Sequence, residues 1–153
     1  MTIPRRLAGR YLKIELLGIS GSFDFVFDKL TFKTQTSVTN EAPALASTTD
    51  PLVRDIYKVG LNTLKECMQT VYEDGPKRDR RLWIGDLYLE ALANAHTFKN
   101  HELTKHCLYL LAAFANDEGL LHATLLEKPQ PHPQYGTHTL DYCLIYNVAL
   151  LEY

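Results

Sequence analysis

Long apolar runs are missing from this chain. None approaches the roughly 20 residues that a bilayer-spanning helix needs, so no membrane segment is expected. No charge of one sign dominates either. Sixteen Lys and Arg stand against eighteen Asp and Glu, a net charge of −2, which gives no electrostatic reason to expect nucleic acid or an anionic membrane surface as a partner. Cysteine is scarce and odd in number. Cys67, Cys107 and Cys143 lie far apart, each inside an apolar helical pattern, and read as buried free thiols rather than a disulfide or a metal site. Such thiols suit a reducing compartment, and a cytoplasmic location is expected. The basic start Met1–Arg10 lacks the apolar core of a secretory signal peptide, although a native N-terminus further upstream would carry any export signal with it. Tight metal-ligand spacing is also lacking. His96, His101 and His106 recur at a spacing that takes them off a common helix face, so no metal is expected. Low-complexity tracts and internal repeats are absent.

What is present falls into a short strand-like part and a longer helical one. Leu12, Ile14 and Leu16 alternate with Lys13 and Glu15, the period of a half-buried strand. Gly18–Ser22 is turn chemistry, and Phe23, Phe25 and Phe27 then share a face. The apolar phase shifts to Leu30 and Phe32, which predicts a bulge near Asp28-Lys29. Two or three strands cannot bury their faces alone, so residues 1–36 read as the tail of a larger β-domain. Residues 37–49 have linker composition. Asp50-Pro51 is a strong helix start, an N-cap followed by Pro at the first helical position. Leu52, Ile56, Val59, Leu64, Cys67 and Val71 predict a helix over 51–72. A second helix is expected from a cap at Asp86 to about Phe98, and a third from a cap at Asn100 to about Asn116. Ala123–Leu126 is a short extended piece and Lys128–Thr139, rich in Pro, a loop. A fourth helix opens at Thr139 or Asp141 and is still apolar at Tyr153.

Chemistry concentrates between the first two helices, in Glu73-Asp74-Gly75-Pro76-Lys77-Arg78-Asp79-Arg80-Arg81-Leu82-Trp83-Ile84-Gly85-Asp86. Glycoside cleavage needs one carboxyl to protonate the leaving oxygen and another to activate water or attack. Further carboxylates bind sugar hydroxyls, and an aromatic ring covers the apolar sugar face. Neighbouring arginines keep some of the carboxylates ionised. The competing reading of the same residue types is a solvated loop of mixed charge, with Trp83 as a core anchor. Glu127, His132 and His138 sit on a long loop that would reach the mouth of such a site, and Asp117-Glu118-Gly119 reads as a helix end and turn.

The order of these residues resembles the signature loop of the α-L-rhamnosidases of glycoside hydrolase family 78, within the six-hairpin glycosidases. Asp74-x-Pro76-x-Arg78-Asp79, then Arg81-Leu82-Trp83 and Gly85-Asp86, matches a family pattern of Asp-Cys-Pro-x-Arg, an acid, Leu-Gly-Trp and a closing Asp. The resemblance implies a mainly α fold. Terminal strands of a β-sandwich domain (1–36) and a linker (37–49) would precede the first helical hairpins of an (α/α)6 catalytic barrel (50–153), truncated here. It implies an inverting hydrolase of terminal α-L-rhamnosides that uses no cofactor. Asp74 and Asp86 would bind the sugar, Arg78 would position it, Trp83 would wall the subsite and Asp79 would donate the proton. The sequence departs from the pattern in two places: Gly75 replaces the Cys, and the Gly before Trp83 is missing. An alternative alignment puts Arg80, which cannot donate a proton, at the donor position. A different donor therefore stays open, as do another sugar on the same fold and a non-catalytic helical carbohydrate-binding scaffold. No counterpart of the general base is visible in the chain, so by itself it is expected to be inactive and, with apolar faces uncovered, to self-associate.

Overall fold

The computed structural model describes residues 2–3, 5–18 and 20–153, which divide into two compact units, one up to Thr34 and one from Gln35. In the first unit no strand ladder forms among the described residues. The strands expected over 10–34 are therefore not formed here. An extended segment becomes a strand only when a neighbour takes up its N–H and C=O groups, and the local contacts of this unit are of another kind. Phe23 N–H donates to the Ser20 carbonyl (3.1 Å), closing a turn, and the Phe25 and Phe27 rings meet edge to face at 4.9 Å. The bulge expected at Asp28-Lys29 has no ladder to interrupt. Gly18 has φ of 72°, the left-handed value that suits the expected turn. Ile19 of that turn, like Met1 and Pro4 of the basic start, lies outside the described residues.

The second unit begins with a strap. Residues 36–43, all but the first expected as linker, are bonded along the helices, with Val38 and Ala42 packed against the core. Asp50 then caps α1 (Pro51–Cys67), its Oδ1 accepting from Leu52 N–H at 2.8 Å. The helix ends before Val71, where the apolar spacing alone would have carried it. Its last carbonyls are taken by the strap. Ser37 N–H and Oγ donate to the Met68 carbonyl at 2.9 and 3.1 Å, and Thr36 Oγ1 donates to that of Lys65 at 2.9 Å. Met68, Val71 and Tyr72 follow in a tight reversal and are fully buried.

Three short antiparallel strands come next in space, in the order β1 (Leu82–Trp83), β2 (Thr124–Leu126), β3 (His132–Pro133). Leu82 pairs with Leu125, and Leu125 with Pro133. The Pro-rich loop thus contributes a strand as well. Helix α2 (Ile84–His96) follows β1 directly. Its N-cap is Trp83, extended by the strand pairing, so Asp86 lies in the first turn and does not cap the helix. Asn94, fully buried, closes the turn into α3 (His101–Ala113). Its Nδ2 donates to the Asn100 carbonyl (2.9 Å), and its Oδ1 accepts from Asn100 N–H (3.0 Å). Asn100 caps α3 as expected, accepting from Leu103 N–H. Helix α4 (Leu140–Glu152) packs on α2. The core gathers Leu64, Met68, Tyr72, Leu82, Ile84, Leu87, Cys107, Leu111, Leu125 and Tyr146. Two buried hydroxyls are satisfied within it: Tyr72 bonds Thr104 Oγ1 at 2.8 Å, and Tyr146 donates to the Leu108 carbonyl at 2.9 Å. Cys67 and Cys107 are buried free thiols, and Cys143 is free and half-buried. No helix is long and apolar enough to cross a membrane among the described residues.

Candidate active site

The acid-rich loop closes on itself through its first carboxylate. Asp74 N–H donates to the Arg81 carbonyl (3.0 Å), and Asp74 Oδ1 accepts from Arg81 N–H (3.1 Å). Asp74 Oδ2 takes the Arg78 guanidinium at 3.1 Å, with the Asp74 side chain only 4% exposed. Between these two ends the chain turns tightly. Arg78 N–H bonds the Gly75 carbonyl (3.0 Å), Arg80 adopts φ of 55°, and Arg80 Nε donates to the Pro76 carbonyl (2.7 Å). A Cβ at position 75 would lie 3.3 Å from Arg78 Nε, so glycine there lets the guanidinium fold back onto Asp74. The Arg81 side chain reaches away, to Gln134 Oε1 after β3. Asp79 stands exposed on the loop.

Asp74, Arg78, Asp79, Trp83 and Asp86 line one open cleft of about 250 Å³, together with Tyr142. The five residues singled out in the sequence thus share one surface. Tyr142, from the first turn of α4, was not among them. Its ring stands edge to face with Trp83, centroids 6.3 Å apart at 89°. It also lies 3.0 Å from where a Cβ of Gly85 would be. Nothing in the local sequence marks this residue, because it reaches the cleft only through the packing of α4 on α2. Glu127, His132 and His138 do not line the cleft. Glu127 instead accepts from Thr70 and faces His106 at 3.8 Å. His132 bonds the Gln130 carbonyl, and His138 that of Leu121.

The cleft is electrostatically uneven. Burial, then the Asp74 charge, raises the Asp86 carboxyl above the usual range, while its backbone hydrogen bond and Arg78 pull it back. Burial also raises the Tyr142 phenol, helped by Asp86 and Asp141, so Tyr142 stays a neutral O–H donor. Such a surface combines carboxyl acceptors, one cation and an aromatic corner, a set suited to a polyhydroxylated ring with one apolar face. No group of three His, Cys, Asp or Glu side chains is placed to hold a metal ion among the described residues.

Residues 42–146 match the family model of the bacterial alpha-L-rhamnosidase 6 hairpin glycosidase domain, and residues 1–34 that of the glycosyl hydrolase family 78 alpha-rhamnosidase N-terminal domain. No curated protein matches the chain. Among solved structures, it is similar to a rhamnosidase from Klebsiella oxytoca with rhamnose bound, at 44% identity and a TM-score of 0.72 over 76% of this chain. The match spans 22% of that rhamnosidase's length. With most of its helical unit and its N-terminal segment both matched, the chain belongs to the α-L-rhamnosidase family of six-hairpin glycosidases.

Proposed function

We propose that this chain supplies the acid side of the active site of an inverting α-L-rhamnosidase. The observation that carries the reading is the shared cleft of Asp74, Arg78, Asp79, Trp83, Asp86 and Tyr142. Asp79 is the proton donor to the leaving oxygen. It stands at the exposed part of the cleft, where the glycosidic bond would arrive, and substrate would strip its water. Asp74, with both oxygens engaged by Arg78 and Arg81, binds sugar hydroxyls, as does Asp86. Arg78 fixes the ring orientation, and Trp83 with Tyr142 covers its apolar face. The general base comes from residues outside this chain, across the roughly 6.5–9.5 Å gap that holds the attacking water. The chain by itself is then inactive towards rhamnosides. Its apolar α4 face (Leu140, Leu144, Val148 and Leu151, all exposed) makes it self-associate in isolation.

One observation favours a second reading, in which Asp86 is the donor: burial and the Asp74 charge raise its carboxyl, as a general acid requires. Substituting each acid in the longer enzyme separates the two. Asp79→Asn is expected to slow hydrolysis of an unactivated rhamnoside by about 10²–10⁴-fold, and far less for an aryl rhamnoside whose leaving group needs little protonation. The same contrast in Asp86→Asn instead would move the donor to Asp86. Equal losses on both substrates for both variants would leave neither as the acid.

A further inference from the structure

One turn behind the cleft lies a half-buried acid, Glu90, that the chemistry above does not use. Glu90 follows Asp86 at i+4 on α2, a spacing that sets the two side chains side by side, with Cβ atoms about 5–6 Å apart. It lines a groove between α1 and α2 with Gly60, Thr63, Leu64, Cys67 and Leu89. Glu90 Oε2 is closed off from solvent and has no hydrogen-bond partner. From α1 the Cys67 thiol faces it, from the following loop come Glu73 and Asp74, and from its own helix Asp86. Tyr72 and Cys107 lie within its field and are raised, Cys107 to about 12, so neither carries charge. The charged groups that act on it most strongly, Asp86, Asp74 and Glu73, are all acids. An ionised carboxylate so placed would combine desolvation with repulsion from three like charges, whereas a neutral acid avoids both costs.

We propose that Glu90 is a positioning residue of the cleft, carried as a neutral carboxylic acid whose lack of charge lets Asp86, one turn ahead of it on α2, keep its place in the cleft. This rests on the sugar-binding reading of the cleft for its binding arm only. The carboxyl is raised to about 8, by burial first and then by Asp86. A group whose folded pKa is raised gives stability that is present below its unfolded value, near 4.5. That stability is lost as pH rises through the folded value near 8. Ionisation in that window places a further charge behind Asp86 and pushes it toward the cleft.

The test compares the wild-type chain with Glu90→Gln, which copies the neutral acid, and Glu90→Ala, which opens a hole. Melting is followed from pH 4.5 to 9, and L-rhamnose binding from pH 6 to 9. Expected is that Glu90→Gln gains on the wild type progressively from pH 4.5 to 8 and then levels off. Its rhamnose affinity at pH 6 stays within about twofold of the wild type. Above pH 8 the wild type loses affinity by up to about tenfold per pH unit, and Glu90→Gln does not. A stability gap independent of pH, or Glu90→Gln as damaged at pH 6 as Glu90→Ala, would overturn the proposal. If no protein binds rhamnose at any pH, the sugar reading fails, while the melting arm still decides the protonation of Glu90.

Discussion

Asp74 and Arg81 hold each other at both ends of a peptide unit: Asp74 N–H donates to the Arg81 carbonyl at 3.0 Å, and Arg81 N–H donates to Asp74 Oδ1 at 3.1 Å. Removing the carboxylate leaves a half-buried backbone donor without its partner, a cost of about 1–3 kcal/mol. Asp74→Asn keeps an acceptor for that donor and loses only the pairing with Arg78, whose guanidinium is 70% exposed and well screened. Asp74→Ala is therefore expected to lower the denaturant midpoint clearly more than Asp74→Asn, with rhamnose binding lost in both. Equal midpoints would mean that the loop neck is held by something else.

Gly85 tests the aromatic corner. Alanine in a helix is favoured over glycine by about 1 kcal/mol, yet here the added Cβ would meet the Tyr142 ring and hydroxyl at 3.0 Å. Tyr142 must swing away from Trp83. The chain has a single tryptophan, so its fluorescence reports on this contact directly. Gly85→Ala is expected to shift the emission and weaken rhamnose binding several-fold. An unchanged spectrum with raised stability would show that Tyr142 yields without cost.

Much of the helical frame was legible because its signals are local. Asp50-Pro51 and Asn100 carry their caps within a few residues, and both helices start where those residues place them. The end of α1 was not legible, since the groups that take its carbonyls, Thr36 and Ser37, come from far earlier in the chain. Asp86 looked like a cap, but the pairing of Trp83 with Thr124 starts α2 earlier and leaves the carboxylate for the cleft. The loop acids were visible as a cluster. Tyr142 and Glu90 were not, because one acts through helix packing and the other through burial. The alternation over 10–34 is present in sequence, but pairing is a property of two segments and a pattern in one cannot supply it.

His122 predicts an acid limb of stability. Its buried imidazole packs against His138 at 4.2 Å and Tyr135 at 5.6 Å, and its Nδ1 has no partner. Burial, then the charge of His138, lowers its pKa from the ordinary 6.5. The unfolded chain therefore takes up this proton first, and stability falls as pH drops below about 6.5. His138→Gln removes the neighbouring charge and should make that fall shallower in melting curves between pH 7 and 5. An unchanged slope would place the acid limb on the carboxylates instead.

The strap has a consequence for how this unit comes together. Ser37 accepts through its carbonyl from Asn100 Nδ2, 63 residues onward, and donates to Met68, 31 residues onward. Asn40 reaches Phe98 across a span of 58. During synthesis the strap emerges before its partners, meeting the end of α1 first and the turn between α2 and α3 last. Closing such spans costs chain entropy before any bond returns it, whereas the Asn94–Asn100 hairpin closes over a short one. The strap is a clasp fastened late: it bonds both the end of α1 and the α2–α3 turn, and it fixes their mutual register only after each has formed.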